Sequence, residues 1–162
     1  MKKNTKILII ILLIFIFICV GLVLSYAFIP KNDTNQVQIN LEELSKNIEN
    51  IGKYSEIPSI NITKENVEEI LKIAPNMIED IIGAVPLVNI KSSMYTVLKV
   101  KPENFQYVKQ KVDEYGTLKE NEWSSYLSEQ YELVKSRKIG TKGNYIYMII
   151  SSNADEIEKI IK

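Results

Sequence analysis

From Ile7 to Ile29 the chain carries no charged side chain, and only Ser25 and Tyr26 are appreciably polar. As a helix rising ~1.5 Å per residue this run would extend ~34 Å, enough to cross a hydrocarbon core of ~30 Å. Each central Ile, Leu, Phe or Val favours insertion by roughly 0.3–0.6 kcal/mol. Lys2, Lys3 and Lys6 flank its start, so the positive-inside rule keeps the N-terminus in the cytoplasm and sends everything after Pro30 outward. The expectation is a single-pass protein of the cell membrane. Residues 1–29 form the cytoplasmic tip and transmembrane helix, 30–39 a polar tether, and 40–162 an extracytoplasmic domain.

Two other fates are open to such a segment. Ser25-Tyr26-Ala27 has the small-x-small form of a signal-peptidase site, and cleavage following Ala27 would release a secreted domain. The apolar run is much longer than the ~7–15 residues of a usual signal core, which favours an uncleaved anchor. Lipidation at Cys19 needs a small residue before the cysteine, and Ile18 stands there.

Charge and composition then remove whole classes of function. The 20 basic residues include the three lysines ahead of the run, so 17 face all 20 acidic ones after it, a net charge of −3. A mildly acidic domain without a basic stripe argues against nucleic-acid binding. The chain has no histidine and a single cysteine. Zinc sites built on Cys and His, Ser-His-Asp triads and Cys-His pairs are therefore not available to it. No EF-hand spacing is present, and no cofactor, metal ligand or catalytic residue is assigned.

Periodicity supplies the elements. Asn40 with Glu43 has capping-box spacing, and Leu41, Leu44, Ile48 and Ile51 follow at helical intervals to Gly52. "SEIPSINIT" reads as a connection, and Thr63 as the cap of a second helix carrying Val67, Ile70 and Leu71 on one face. Met77, Ile78, Ile81, Ile82 and Val85 have helical spacing, yet Gly83 and Pro86 weaken a helix there. Met94 to Val100 is a strand. Pro102 opens a helix with Phe105, Val108, Val112 and Tyr115 on one face, ending at Gly116. Asn121 is read as capping a further helix with Trp123, Leu127, Tyr131 and Val134. A hairpin turns around Lys142-Gly143-Asn144, and its strand Tyr145 to Ile150, apolar on both faces, belongs inside a covered sheet. Asn153 and Glu156 then cap a terminal helix with Ile157, Ile160 and Ile161.

The sum is an α+β domain: two antiparallel hairpins in one sheet, strand order undetermined, with helices mainly on one side. Its expected core includes Leu71, Val97, Leu98, Phe105, Val108, Ile146, Met148 and Ile150.

The segments "VPLVNIKSSMYTVLKVKPEN" (Val85 to Asn104) and "KGNYIYMIIS" (Lys142 to Ser151), after an export signal, resemble a bacterial family of small extracytoplasmic proteins common in Firmicutes. That family is known as the domain of unknown function numbered four-three-five-eight. The resemblance covers roughly Glu65 to Ile160 and implies that Ile78 to Leu87 is a strand. Many members carry a lipobox cysteine, which this chain lacks. No activity, ligand or functional residue comes with the resemblance.

Three functions fit these observations. The leading one is a non-catalytic binding or interaction module at the cell envelope, its partner an envelope protein or cell-wall component. A carboxylate-dependent enzyme acting on envelope polymers would have to draw on Glu79 and Asp80, Asp113 and Glu114, or Glu120 and Glu122, although adjacent carboxylates usually point apart. A small-molecule or wall-sugar binder would use Trp123, Tyr126 and Tyr131 as aromatic walls of its pocket.

Overall fold

The computed structural model describes residues 38–162; the expected transmembrane helix and most of the tether lie outside them. Among the described residues, no helix is long and apolar enough to cross a membrane.

The first helix, α1 (Leu41–Gly52), begins as its sequence requires: the Asn40 side chain accepts a hydrogen bond from the Glu43 backbone N–H at 3.2 Å. It ends at Gly52 as expected, capped by Lys53 in the left-handed region at φ 53°. Gly52 also makes room, because a Cβ there would run into the Tyr54 ring.

The stretch read as a connection contains a strand, β1 (Ser59–Asn61). With three residues and one apolar side chain it has no pattern of its own. Pairing with β2 (Ile78–Pro86) creates it, in the register Ser59 to Pro86. The next helix, α2 (Val67–Leu71), is shorter than expected. Thr63 does not cap it by its side chain. Instead Asn66 accepts from the Thr63 N–H at 2.7 Å and donates to the Asn61 carbonyl, closing a polar turn ahead of the helix.

β2 settles the ambiguous segment as a strand and shows why its spacing looked helical. The register slips between Ile78 and Asp80. This bulge inserts one residue into the two-residue alternation, so Ile78 and Ile81 face the same core. Ile82 and Ala84 face the other.

β3 (Met94–Val100) follows expectation. The helix after Pro102, α3 (Phe105–Trp123), instead runs unbroken through Gly116, so Asn121 caps nothing. A Cβ on Gly116 would come within 2.7 Å of the Arg137 guanidinium arm and 3.1 Å of Ile139; the glycine lets β4 approach the helix. α4 (Ser128–Lys135), β4 (Lys138–Lys142), β5 (Tyr145–Ile150) and α5 (Ala154–Ile161) complete the domain. Asn153 does not close the expected capping box at α5; its side-chain amide donates to the Ile51 carbonyl and ties the start of α5 to the end of α1.

The five strands form one antiparallel sheet in the order β1-β2-β3-β5-β4. Both expected hairpins are present, β2–β3 and β4–β5, and β3 and β5 join them. The helices do not sit mainly on one side. α1 and α5 cover one face, where Leu44, Ile48 and Ile157 meet Val97 and Tyr147. α2, α3 and α4 cover the other, where Leu71, Val108 and Val134 meet Leu98 and Met148. All six residues of β5 are buried, so covering one face alone would leave half of them wet. Of the expected core only Phe105 is less than fully buried, packed at the cluster's edge.

Buried tyrosines satisfy their hydroxyls at the rim of the α1/α5 layer. Tyr54 donates toward the Met94 and Ile150 carbonyls at 3.1 and 3.2 Å. Tyr147 donates to Glu158 at 2.7 Å. The Tyr145 hydroxyl accepts from the Ile39 N–H at 3.2 Å, which seats the incoming chain at the start of β5.

Two substitutions test this arrangement. Met148→Asp puts an unpaired charge in a fully buried strand and should cost several kcal/mol, enough to abolish cooperative melting by circular dichroism. The Thr96 hydroxyl is buried with no hydrogen-bond partner among the described residues. Thr96→Val should therefore raise stability by about 1 kcal/mol; an unchanged or lower melting temperature would show that the hydroxyl is partnered.

Candidate binding site

At the sheet end where β2 passes into β3, the connecting loop of residues 87–93 lies beside the α3–α4 connector of residues 124–127. Side-chain chemistry holds the two together. The Ser92 N–H donates to Gln130 Oε1 at 2.8 Å, and the Ser92 hydroxyl reaches the Gln130 backbone oxygen at 3.2 Å. Between these segments opens a hollow of about 460 Å³, lined by Val85, Pro86, Met94, Tyr115 and Trp123 with Tyr126 at its edge. A second hollow, about 430 Å³, is lined by Ile90, Leu127 and the first turn of α4. Lys91 borders both.

The apolar exposure here is concentrated. Of the eight large hydrophobic residues exposed among those described, Leu87, Ile90, Tyr126 and Leu127 line these two hollows. Scattered single hydrophobics need no explanation, whereas a cluster at one rim marks a contact surface.

Trp123 is largely buried and its ring meets Tyr126 at 5.6 Å between centroids, tilted by 45°. Lys119 and Glu122, one turn apart on α3, pair at 2.8 Å on the hollow's wall. Burial opposes the Lys119 charge, but the hydrogen bond to Glu122 and the neighbouring Tyr115 ring outweigh it and hold the ammonium above its ordinary range. Burial pushes the Tyr115 phenol up, while Lys119 pulls the other way. These groups stay a protonated lysine and a neutral phenol at neutral pH, which makes the wall a fixed ion pair against apolar surface.

The three aromatic residues singled out from the sequence are not one stripe. Trp123 and Tyr126 line the first hollow. Tyr131 does not: α3 ends at Trp123, the chain turns, and α4 places Tyr131 half-buried against the core with Lys135 Nζ 5.2 Å from its ring centroid. The carboxylates considered for catalysis do not converge. Glu79 pairs with Lys99, Asp113 with Lys109, Glu114 with Lys111, and Glu120 with Arg137. Asp80 accepts the adjacent Ile81 N–H. Among the described residues, no group of three or more His, Cys, Asp or Glu side chains is placed to hold a metal ion.

Sequence reasoning missed Leu87, Ile90, Lys91 and the Ser92–Gln130 latch. A signal was present: "PLVNIK" sets three aliphatic residues around a turn-forming asparagine, where polar residues are usual.

A family profile, Domain of unknown function (DUF4358), matches residues 53–151. The chain belongs to this family. The DUF4358 match spans all five strands, the 87–93 loop and the α3–α4 connector, so both hollows lie within the family unit, while α1 and α5 flank it. No curated protein and no solved structure matches significantly.

Replacing Gln130 with Ala removes the side-chain acceptor of the loop latch. Amide hydrogen exchange at Ser92 should accelerate by about fivefold, as expected for losing one hydrogen bond worth ~1 kcal/mol, with strand β3 unaffected. Unchanged exchange at Ser92 would show that the loop is held by other contacts.

Proposed function

We propose that this DUF4358 protein is a membrane-anchored, extracytoplasmic binding module of the cell envelope, with its site in the paired hollows beside Trp123 and Tyr126. The observation that carries the reading is the gathering of four of the eight exposed large hydrophobics onto one rim, above a wall whose charges already neutralise each other. Such a surface binds by excluding water from apolar area, at ~25 cal/mol per Å² buried, and offers no group poised for proton transfer. The apolar run Ile7 to Ile29 supplies the anchor, and the three lysines ahead of it give the orientation.

Intact mass of the native protein from the membrane fraction tests the anchor: the full chain is expected there, and a soluble species starting at Phe28 would replace the anchor with cleavage following Ala27. The site is tested by p-benzoylphenylalanine introduced in living cells at position 126 or at position 107, two tyrosine positions of nearly equal exposure, 47% and 48%. A discrete cross-linked adduct is expected at 126 and none at 107; equal labelling, or none at 126, would sink the assignment.

A further inference from the structure

We infer that the hollow of about 460 Å³ receives a small apolar molecule bearing a carbonyl or carboxylate oxygen, which accepts from a row of hydrogen-bond donors along α3. This rests on the site assignment above and goes on to name the ligand's chemistry. Tyr115, Lys119 and Trp123 follow one another at four-residue intervals, so one face of the helix brings all three to the hollow. Tyr115 and Trp123 are each only 8% exposed. Side chains so buried as a rule partner their polar atoms, yet neither the Tyr115 hydroxyl nor the Trp123 indole N–H meets an acceptor among the described residues. Thr96 is the side chain in that condition whose polar atom is sealed from solvent. The polar atoms of Tyr115 and Trp123 therefore keep a path to solvent, and the opening that both residues line is the hollow.

The chemistry of that wall selects the ligand. An indole N–H can only donate. The Lys119 ammonium, 5.3 Å from the Tyr115 ring centroid, gives one N–H to Glu122 at 2.8 Å and has others to give, but it cannot accept the phenolic proton. The remaining polar side chains at the hollow are already served. Ser92 donates to Gln130, Glu122 is paired and exposed, and Asn89 and Lys91 stand in solvent. Buried donors of this kind are complemented by an acceptor, and the apolar surface of Val85, Pro86 and Met94 by hydrocarbon. A hydroxyl would also accept, but it would carry one more donor into a recess whose buried side chains offer no free acceptor. A carbonyl-type oxygen accepts twice and brings no donor with it. Apolar walls with a few placed polar groups, enclosing several hundred Å³, are the make-up of a small-molecule pocket.

Trp123 is the sole tryptophan of the chain, so the full chain carrying isotope-labelled tryptophan in lipid nanodiscs gives one indole N–H signal in its nuclear magnetic resonance spectrum. Three probes are titrated against it: acetophenone, benzoate, and ethylbenzene, in which a methylene replaces the ketone carbonyl at nearly the same shape. Free probe concentrations are corrected for uptake by empty nanodiscs. Acetophenone or benzoate should bind at least fivefold more tightly than ethylbenzene, the effect of about one hydrogen bond, and should move the indole proton downfield. Tyr115→Phe, which keeps the ring, should retain the wild-type melting curve and at least halve that preference. Benzoate ahead of acetophenone assigns a carboxylate ligand, and the reverse order a neutral carbonyl. Ethylbenzene bound as tightly as both overturns the acceptor oxygen and leaves an apolar site standing. An oxygen preference that neither moves the indole proton nor falls in Tyr115→Phe places the acceptor elsewhere and overturns the inference. An indole signal unmoved by all three probes overturns it as well, whereas the site assignment falls only with the cross-linking at position 126.

Discussion

Two strands of this domain, β3 and β5, must be dry on both faces. Every side chain of β5 and six of the seven of β3 are buried, and each large apolar one contributes roughly 1.5–3 kcal/mol when removed from water. Much of the remaining architecture follows from that demand. One helix layer covers only alternate residues, so α1 and α5 must cover what α2, α3 and α4 leave exposed. The tyrosines on the α1/α5 side reach the rim with their hydroxyls, which lets large rings fill the layer without stranding polar atoms. Thr96 is the exception, a buried hydroxyl without a partner among the described residues.

The strand ends, where the helix layers stop, are a place where a surface for other molecules can form. At one end the incoming chain is pinned through Tyr145. At the other, the 87–93 loop and the α3–α4 connector hold aliphatic side chains into solvent, fixed by the Ser92–Gln130 latch. A site of this kind is positioned by the rigid ends of strands and helices and decorated by loops, and the DUF4358 match covers both parts of it.

Where sequence reasoning went astray, a local signal had a second use. Gly116 resembles a helix stop, since glycine commonly ends helices, but it lies inside α3 and makes room for the Arg137 side chain. The helical spacing of Ile78 and Ile81 came from a bulge. Asn153 has the spacing of a cap and spends its amide on a distant carbonyl. In each case the deciding neighbour is set by packing, and local spacing carries no information about it.

The sequence by itself determined the element types with strong periodicity, the dry character of β5, the two hairpins, the family resemblance, and the absence of histidine and of any cysteine beyond Cys19. These properties belong to short windows or to composition, so no fold is needed to see them. Tertiary structure alone decided the strand order, the second helix layer, the edge strand β1 and the hollows. Strand β1 exists only because β2 offers it a partner. The hollows join residues from Val85 to Gln130 that no periodic pattern links, because a binding surface is a property of how separate elements end beside one another.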